Sequence, residues 1–147
     1  MARVEQSMEI NASPEAVFNY VADISKHGEW AQSGHKLTIE KTSEGPVGQG
    51  STFSSVGHQF GENHDTVTIT EFVQNERVVY NAEGSAGVIQ HSFELSASGD
   101  GVELTKTFDP LSTKMPFTIF APIAKLLSVP GSLRGDLERI KEQLEAS

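Results

Sequence analysis

The first ten residues of the chain alternate between polar and mostly apolar side chains. Val4, Met8 and Ile10 fall on one side of this pattern, which is typical of a β-strand with one buried face. Ser13 and Pro14 then mark a helix start. Serine can accept a hydrogen bond from a free backbone amide. Proline at the first helical position removes no hydrogen bond from the helix, because an amide there has no partner within the helix. The sequence therefore predicts a strand that leads directly into a helix.

The helix after Pro14 is predicted to be amphipathic and short. Its apolar residues recur at helical spacing: Val17, Tyr20, Val21 and Ile24. A second short helical piece follows, is interrupted by Gly28 and closes at Trp30, the only tryptophan of the chain. Two small helices are thus expected before the pattern changes.

Beyond Trp30 the hydrophobic period changes from helical to two. Short stretches rich in Val, Ile, Thr and Phe alternate in polarity, and turn-forming residues separate them. The six stretches are HKLTIEKT, GSTFSSVGHQ, DTVTITEFV, RVVYNAE, GVIQHSFELSA and GVELTKTFDP. Because no helical pattern lies between them, they predict a six-stranded antiparallel meander.

The last quarter of the chain returns to helical spacing. Its apolar stripe consists of Ile123, Leu126, Leu127, Leu133, Leu137, Ile140 and Leu144. Pro130 and Gly131 interrupt this pattern, so we expect either a helix start near Pro122 or a kink near Pro130. In both cases the stripe should cover the apolar face of the sheet, which gives an α+β fold.

Composition narrows the function classes. The chain has 147 residues, enough for one core, and no repeat or long linker divides it, so a single domain over 1–147 is expected. Eleven Lys and Arg residues against 20 Asp and Glu residues give a net charge of −9, which disfavours nucleic-acid binding. Cysteine is absent, so disulfides and thiolate metal sites are excluded.

The sequence also bears on where in the cell the protein lies and on its oligomeric state. The chain begins on a strand pattern rather than a charged-then-apolar leader, and its most apolar segment is too short to span a bilayer. We therefore expect a cytoplasmic protein without membrane insertion. A homodimer is compatible with the sequence.

Several motifs, in this order, resemble one known superfamily. They are INASPEAVFNYVADISKHGEW, GPVGQGSTF, VTITEFVQNERVVYNAEG, HSFELSASGDGVELTKTFD and the closing amphipathic helix. The chain resembles the helix-grip fold of the START and birch-pollen-allergen (SRPBCC) superfamily, and within it the polyketide cyclase/dehydrase and lipid-transport group. The resemblance implies that the long helix lies in the concave face of the sheet, above a cavity. It does not fix an activity, because the superfamily includes cyclases, ligand carriers and chaperone activators.

Strand phase predicts which side chains face this cavity. Alternation places His91 beside Phe93, Lys106 between Leu104 and Phe108, and Glu71 on the face of Ile69. The expected ligand-binding residues are Trp30, Phe53, Ile69, Tyr80, His91, Phe93, Phe108, Phe117, Phe120 and Leu127. A mostly apolar lining with a few polar groups is typical of a small-molecule site, so we expect a hydrophobic ligand such as a lipid, polyketide or isoprenoid-like compound.

Two chemical alternatives remain open at this stage. His91 could serve as the general base of a cyclase or dehydratase, with Tyr80 or Lys106 as a polarising donor, or it could be a core histidine without catalytic function. His58 and His64, with Glu62, could form a metal site, but their phase puts them on the outer face. We therefore expect neither a metal nor a cofactor.

The last expectation concerns ligand entry. The first half of the C-terminal helix, from Phe117 to Val129, carries Phe120 and lies next to Pro130. Proline weakens backbone hydrogen bonding, so this half should open more readily than the second half and admit ligands beside Trp30 and the GPVGQG turn.

Overall fold

The computed structural model describes residues 3–30, 37–57, 63–84, 87–113 and 122–146, and its elements follow the order expected from the sequence. The strands are β1 (Val4–Ile10), β2 (Leu37–Lys41), β3 (Thr52–Gly57), β4 (Asn63–Val73), β5 (Arg77–Gly84), β6 (Gly87–Ser98) and β7 (Gly101–Thr113). The helices are α1 (Pro14–Ala22), a 3₁₀ helix (Ile24–Glu29) and α2 (Pro122–Glu145).

All seven strands join one antiparallel sheet in the order β1-β7-β6-β5-β4-β3-β2. The meander predicted for β2 to β7 is therefore confirmed, with each strand paired to the next one in sequence. The first strand returns to the far edge and pairs with the last, from Val4 opposite Phe108 to Ile10 opposite Val102. This pairing brings the N-terminal strand beside the C-terminal part of the sheet.

The start of α1 follows the predicted capping pattern. Ser13 is the N-cap in extended conformation, and its Oγ accepts a hydrogen bond from the Ala16 amide at 3.1 Å. Pro14 occupies the first turn beside Glu15, whose negative charge favours the positive end of the helix dipole. The buried side of α1 consists of Val17, Phe18, Val21 and Ala22.

Replacing Ser13 by alanine is expected to lower the free energy of unfolding by about 1 kcal/mol, since the Ala16 amide loses its acceptor. Urea unfolding at neutral pH measures this difference. Ser13→Asp is the matched control, because aspartate caps helices as well as serine does. Equal loss of stability in both variants would contradict a capping role.

The core lies between the inner face of the sheet and the three helices. Phe18 of α1, Phe53 of β3, Phe93 of β6 and Leu104 of β7 are completely buried, and Leu137 of α2 joins the same cluster. Burial of side chains of this size contributes about 1.5–3 kcal/mol each. The helices are therefore held on the sheet mainly by apolar packing.

A bulge in β4 changes one predicted orientation. Ile69 pairs with Tyr80 but Glu71 pairs with Val79, so Thr70 is an extra residue in the strand. The extra residue reverses the alternation, and the expected inward position of Glu71 was wrong. Its carboxylate instead lies 3.5 Å from Arg77 Nε on the outer face, and the side chain is about half exposed. Phe72 takes the inward position and contacts the Phe18 ring edge-on, with 5.2 Å between the ring centroids.

Helix α2 begins at Pro122 and runs without a break through Pro130 and Gly131. Of the two expected alternatives, the start at Pro122 is confirmed. Among its described side chains Leu133, Leu137 and Ile140 are buried, as the apolar stripe predicted. No helix in the described ranges is both long enough and apolar enough to cross a membrane.

The end of α2 is tied to the end of β1 by polar contacts. Lys141 Nζ donates to the Glu9 carbonyl at 3.0 Å, and Glu145 accepts from the Asn11 amide at 2.8 Å. Lys141 also lies 2.6 Å from the Glu145 carboxylate. These contacts fix the second half of α2 against the edge of the sheet.

Candidate functional site

A cavity of about 220 Å³ lies between the inner face of the sheet, the 3₁₀ helix and α2. Its apolar and aromatic lining consists of Ile24, Trp30, Ile39, Val67, Tyr80 and Ala82. Its polar lining consists of His27, Ser55, Asp65, His91, Lys106 and Asp136. The site therefore combines apolar and polar groups around a space suited to a small molecule.

A larger depression of about 380 Å³ lies elsewhere, at the turn between β6 and β7. Its lining includes Glu9, Asn11, Asp100 and Lys141, together with turn backbone. It brings together no aromatic ring and no buried titratable side chain among the described residues. The smaller cavity therefore holds the chemically distinctive groups.

Aromatic rings form one wall of the cavity. The rings of Tyr80 and His91 are stacked, with centroids 5.1 Å apart and an angle of 15° between their planes. Trp30 meets the Phe93 ring at 89°, with centroids 5.6 Å apart. His27 packs against Trp30 at a centroid distance of 4.4 Å. The sheet supplies Tyr80 and His91, which are paired across β5 and β6, so the position of these two rings is set by strand register.

Lys106 is the main charged group of the cavity. It lies on the inward face of β7 between Leu104 and Phe108, and only 3% of the residue is exposed. Its Nζ lies over the rings of Trp30 and Phe93, 5.1 and 4.8 Å from their centroids. Burial lowers the pKa of Lys106 to about 8, although attraction by Asp136 acts in the opposite direction.

Asp136 faces the cavity from α2 and was not anticipated from the sequence. It is buried, and its Oδ1 accepts a hydrogen bond from Arg139 Nη2 at 2.7 Å. Arg139 also donates from Nε to the Trp30 carbonyl. The pair therefore links α2 to the end of the 3₁₀ helix. Position 136 lies on the apolar stripe of α2, three residues after Leu133. An acidic residue at such a position is the sequence signal from which Asp136 could have been identified.

His27 is the second unexpected member of the site. It is buried, and its Nε2 lies 2.9 Å from the Val21 carbonyl, to which a neutral ring donates. Burial lowers its pKa to about 3, with a further contribution from Lys106, while the hydrogen bond to Val21 opposes this shift. His27 is therefore neutral at physiological pH.

His91 is half-buried, and its Nδ1 is enclosed without a hydrogen-bond partner among the described residues. Burial holds the pKa of His91 well below 6.5, and the nearby Lys106 and His27 side chains act in the same direction. The indole Nε1 of Trp30 is likewise buried and has no acceptor in the part of the chain that the structure describes. Two polar atoms in one cavity thus lack hydrogen bonds to the described residues.

The predicted ligand-binding residues fall into three groups. Trp30, Tyr80 and His91 line the cavity. Phe53, Ile69 and Phe93 are buried in the core cluster and are not part of its lining, because packing against neighbouring side chains fills the space around them. Phe108 is half-buried and meets the His91 ring at a centroid distance of 5.6 Å.

The remaining predictions fall mostly outside the described residues. Phe117 and Phe120 lie there, as does the side chain of Leu127, although its backbone is part of α2. The expected opening of the segment from Phe117 to Val129 is therefore not addressed. The exposed His64 lies on β4, whereas His58 and Glu62 are outside the described ranges. Within those ranges, no three His, Asp or Glu side chains form a group that could hold a metal ion.

Comparison with solved structures identifies the fold. A START superfamily protein from Mycobacterium smegmatis aligns with 15% identity and a TM-score of 0.75, over 98% of this chain and 97% of that chain. A protein from Thermus thermophilus aligns with 16% identity and a TM-score of 0.73, over 99% and 98%. The Aha1 dimer from Colwellia psychrerythraea has 18% identity and a TM-score of 0.67, over 99% and 97%. At these identities the similarity shows the fold alone, which is the predicted helix-grip fold.

The sequence comparison is more specific. No curated protein matches the chain significantly. The family model described as "Polyketide cyclase / dehydrase and lipid transport" matches residues 1–145, nearly the whole chain. The protein therefore belongs to the polyketide cyclase/dehydrase and lipid transport family.

Proposed function

We propose that the protein binds a small, largely apolar molecule in the cavity between the sheet and α2. The observation that carries this proposal is the aromatic wall of Trp30, Tyr80 and His91 around about 220 Å³ of space. Ligand sites are concave and mostly apolar, with a few placed polar groups, and this cavity has both properties. Membership of a family named for polyketide and lipid chemistry supports the same class of ligand, a lipid, polyketide or isoprenoid-like compound.

Filling the cavity is expected to abolish most of this binding. Ala82→Leu on β5 adds side-chain volume at a lining position, so the affinity for a neutral probe such as 1-octanol should fall by at least about tenfold, the equivalent of 1.4 kcal/mol. Isothermal titration calorimetry measures the affinity, and the emission of Trp30 gives an independent signal from the cavity wall.

Glu83→Leu is the matched control, because Glu83 is the exposed neighbour on the same strand. It adds an apolar side chain outside the cavity and should leave binding unchanged. Native mass spectrometry of the purified wild-type protein provides a second test, since a retained ligand appears as added mass. Equal binding by both variants would place the ligand elsewhere.

A second candidate function is catalysis with His91 as general base. It is favoured by the position of the His91 ring in the cavity wall and by its Nδ1, which has no partner among the described residues. The lowered pKa opposes it, because a weaker base abstracts protons less readily. On a turned-over ligand, His91→Ala should reduce the rate by about 10² to 10⁴. Unchanged turnover in that variant excludes this mechanism.

A further inference from the structure

Two hydrogen-bond donors of the site lie close together, Lys106 Nζ and Trp30 Nε1. Trp30 Nε1 is buried without an acceptor among the described residues, and Lys106 is buried beside it. Nζ lies 5.1 Å from the centroid of the Trp30 ring. Buried donors are nearly always paired with protein, water or ligand, so the indole N–H requires an acceptor that the described part of the chain does not provide.

Ring faces satisfy Lys106 only in part. A cation over an aromatic face gains less free energy than burial of an ammonium costs. A planar ring also accepts no hydrogen bond of normal strength from the three N–H groups of the ammonium. An oxygen atom placed against Nζ would compensate far more of the burial.

The ammonium of Lys106 favours an anionic oxygen over a neutral one, because hydrogen bonds between opposite charges are the stronger ones. The groups that surround Lys106 from the packed elements are His27, Asp65, Tyr80, His91, Asp136 and Arg139. His27 and His91 are neutral, and burial raises the pKa of Tyr80, which keeps its hydroxyl protonated. Asp136 is hydrogen-bonded by Arg139 and also attracts Lys106.

Asp65 is the remaining carboxyl group of the described lining. Burial raises its pKa, which weakens its charged form, although His64 acts against this shift. Lys106 and Arg139 thus face the carboxyl groups of Asp65 and Asp136, inside a protein whose net charge is −9. A buried positive charge of this kind attracts a negative group that enters the cavity.

We propose that the ligand carries a carboxylate at one end, which binds Lys106 Nζ and Trp30 Nε1, while its apolar part lies along Tyr80 and His91. This inference rests on the proposed function and specifies its ligand class: small apolar acids rather than neutral apolar molecules. A carboxylate can accept from both donors at once, because each of its oxygens has two lone pairs. Charge-assisted hydrogen bonds of this type are about twice as strong as neutral ones.

The test compares octanoate with 1-octanol, two probes of the same chain length that differ in charge. Calorimetric titration at pH 7 should show that the wild-type protein prefers octanoate. Lys106→Met keeps the volume and removes the charge. It should weaken octanoate binding by roughly 10- to 100-fold and change 1-octanol binding by less than about threefold. Trp30→Phe keeps an aromatic ring but lacks the N–H, and should weaken octanoate binding by roughly three- to tenfold.

Lys26→Met is the matched control, since Lys26 is exposed on the 3₁₀ helix, and it should bind both probes as the wild type does. Octanoate affinity should also fall as the pH rises through about 8, where Lys106 loses its proton, while 1-octanol affinity stays constant. Equal affinity of the wild type for both probes, or unchanged octanoate binding in Lys106→Met, overturns the inference and leaves the proposed function standing. Failure of the wild type to bind either probe overturns the proposed function and the inference together.

Discussion

Lowering the pH from 7 to 4 is expected to reduce the free energy of unfolding by about 3 kcal/mol through His27 alone. The pKa of His27 is about 3 in the folded protein and 6.5 in an ordinary environment. Below pH 6.5 the unfolded chain therefore binds a proton that the folded chain does not. Each unit between the two pKa values corresponds to about 1.4 kcal/mol, so the stability is full above pH 6.5 and is lost as the pH falls towards 3.

Urea unfolding at a series of pH values measures this loss. In His27→Gln the amide can still donate to the Val21 carbonyl but does not titrate, so the dependence on pH between 4 and 7 should become much shallower. Some dependence should remain because the pKa of His91 is lowered as well. Lys26→Gln, one residue away on the exposed side, is the control and should keep the wild-type slope. A slope in His27→Gln as steep as in the wild type would show that His27 is not the cause.

Replacing Lys106 by methionine is expected to stabilise the protein by about 1–3 kcal/mol at pH 7. The folded pKa of about 8, against 10.5 in an ordinary environment, means that burial of the ammonium opposes folding by about 3 kcal/mol. The cation–π contacts with Trp30 and Phe93 offset part of this amount. Methionine has a similar length and no charge, so it removes both contributions and leaves a net gain.

The pH dependence gives this prediction a second readout. Between pH 8 and 10.5 the unfolded chain binds a proton at Lys106 that the folded chain has lost, so the stability of the wild type should rise over this range. In Lys106→Met that rise should disappear. Lower stability of the variant at pH 7, with an unchanged profile above pH 8, would mean that the ammonium is compensated in the folded state.

The prediction for Lys106 implies that the cavity contains a group that opposes folding. Methionine at position 106 would suit the strand pattern better, and an apolar residue at position 136 would complete the stripe of α2. Groups that oppose folding are typical of functional sites, because a residue needed for binding is kept there although it lowers the stability of the protein. A buried lysine that opposes folding agrees with the proposal of a ligand that uses its charge.

The architecture could be predicted because each element has a distinct local pattern. The period-two stretches after Trp30 became β2 to β7, and the capping pattern at Ser13 began α1 as expected. Glu71 was misplaced because one extra residue, Thr70, reverses the alternation, and no turn residue marks that bulge in the sequence. A bulge depends on how two strands pair, which the local pattern of one strand does not contain.

The site could be predicted only where strand phase alone determined it. Tyr80, His91 and Lys106 were assigned from alternation, and all three line the cavity. His27 and Asp136 were missed because their positions depend on how the 3₁₀ helix and α2 dock onto the sheet. The contact between Arg139 and the Trp30 carbonyl joins residues 109 positions apart, and no pattern within either helix indicates it.

The pairing of β1 with β7 has a consequence for how the chain folds during synthesis. Ser7 Oγ and Thr105 Oγ1 are hydrogen-bonded at 2.7 Å across these strands although they are 98 residues apart. At roughly 5–20 residues per second, the ribosome delivers the partner of β1 about 5–20 s after β1 itself. During that interval β2 to β6 can pair in sequence, whereas β1 has to wait with its backbone groups unpaired. We therefore expect the pairing of β1 with β7 to form last, although β1 is synthesised first.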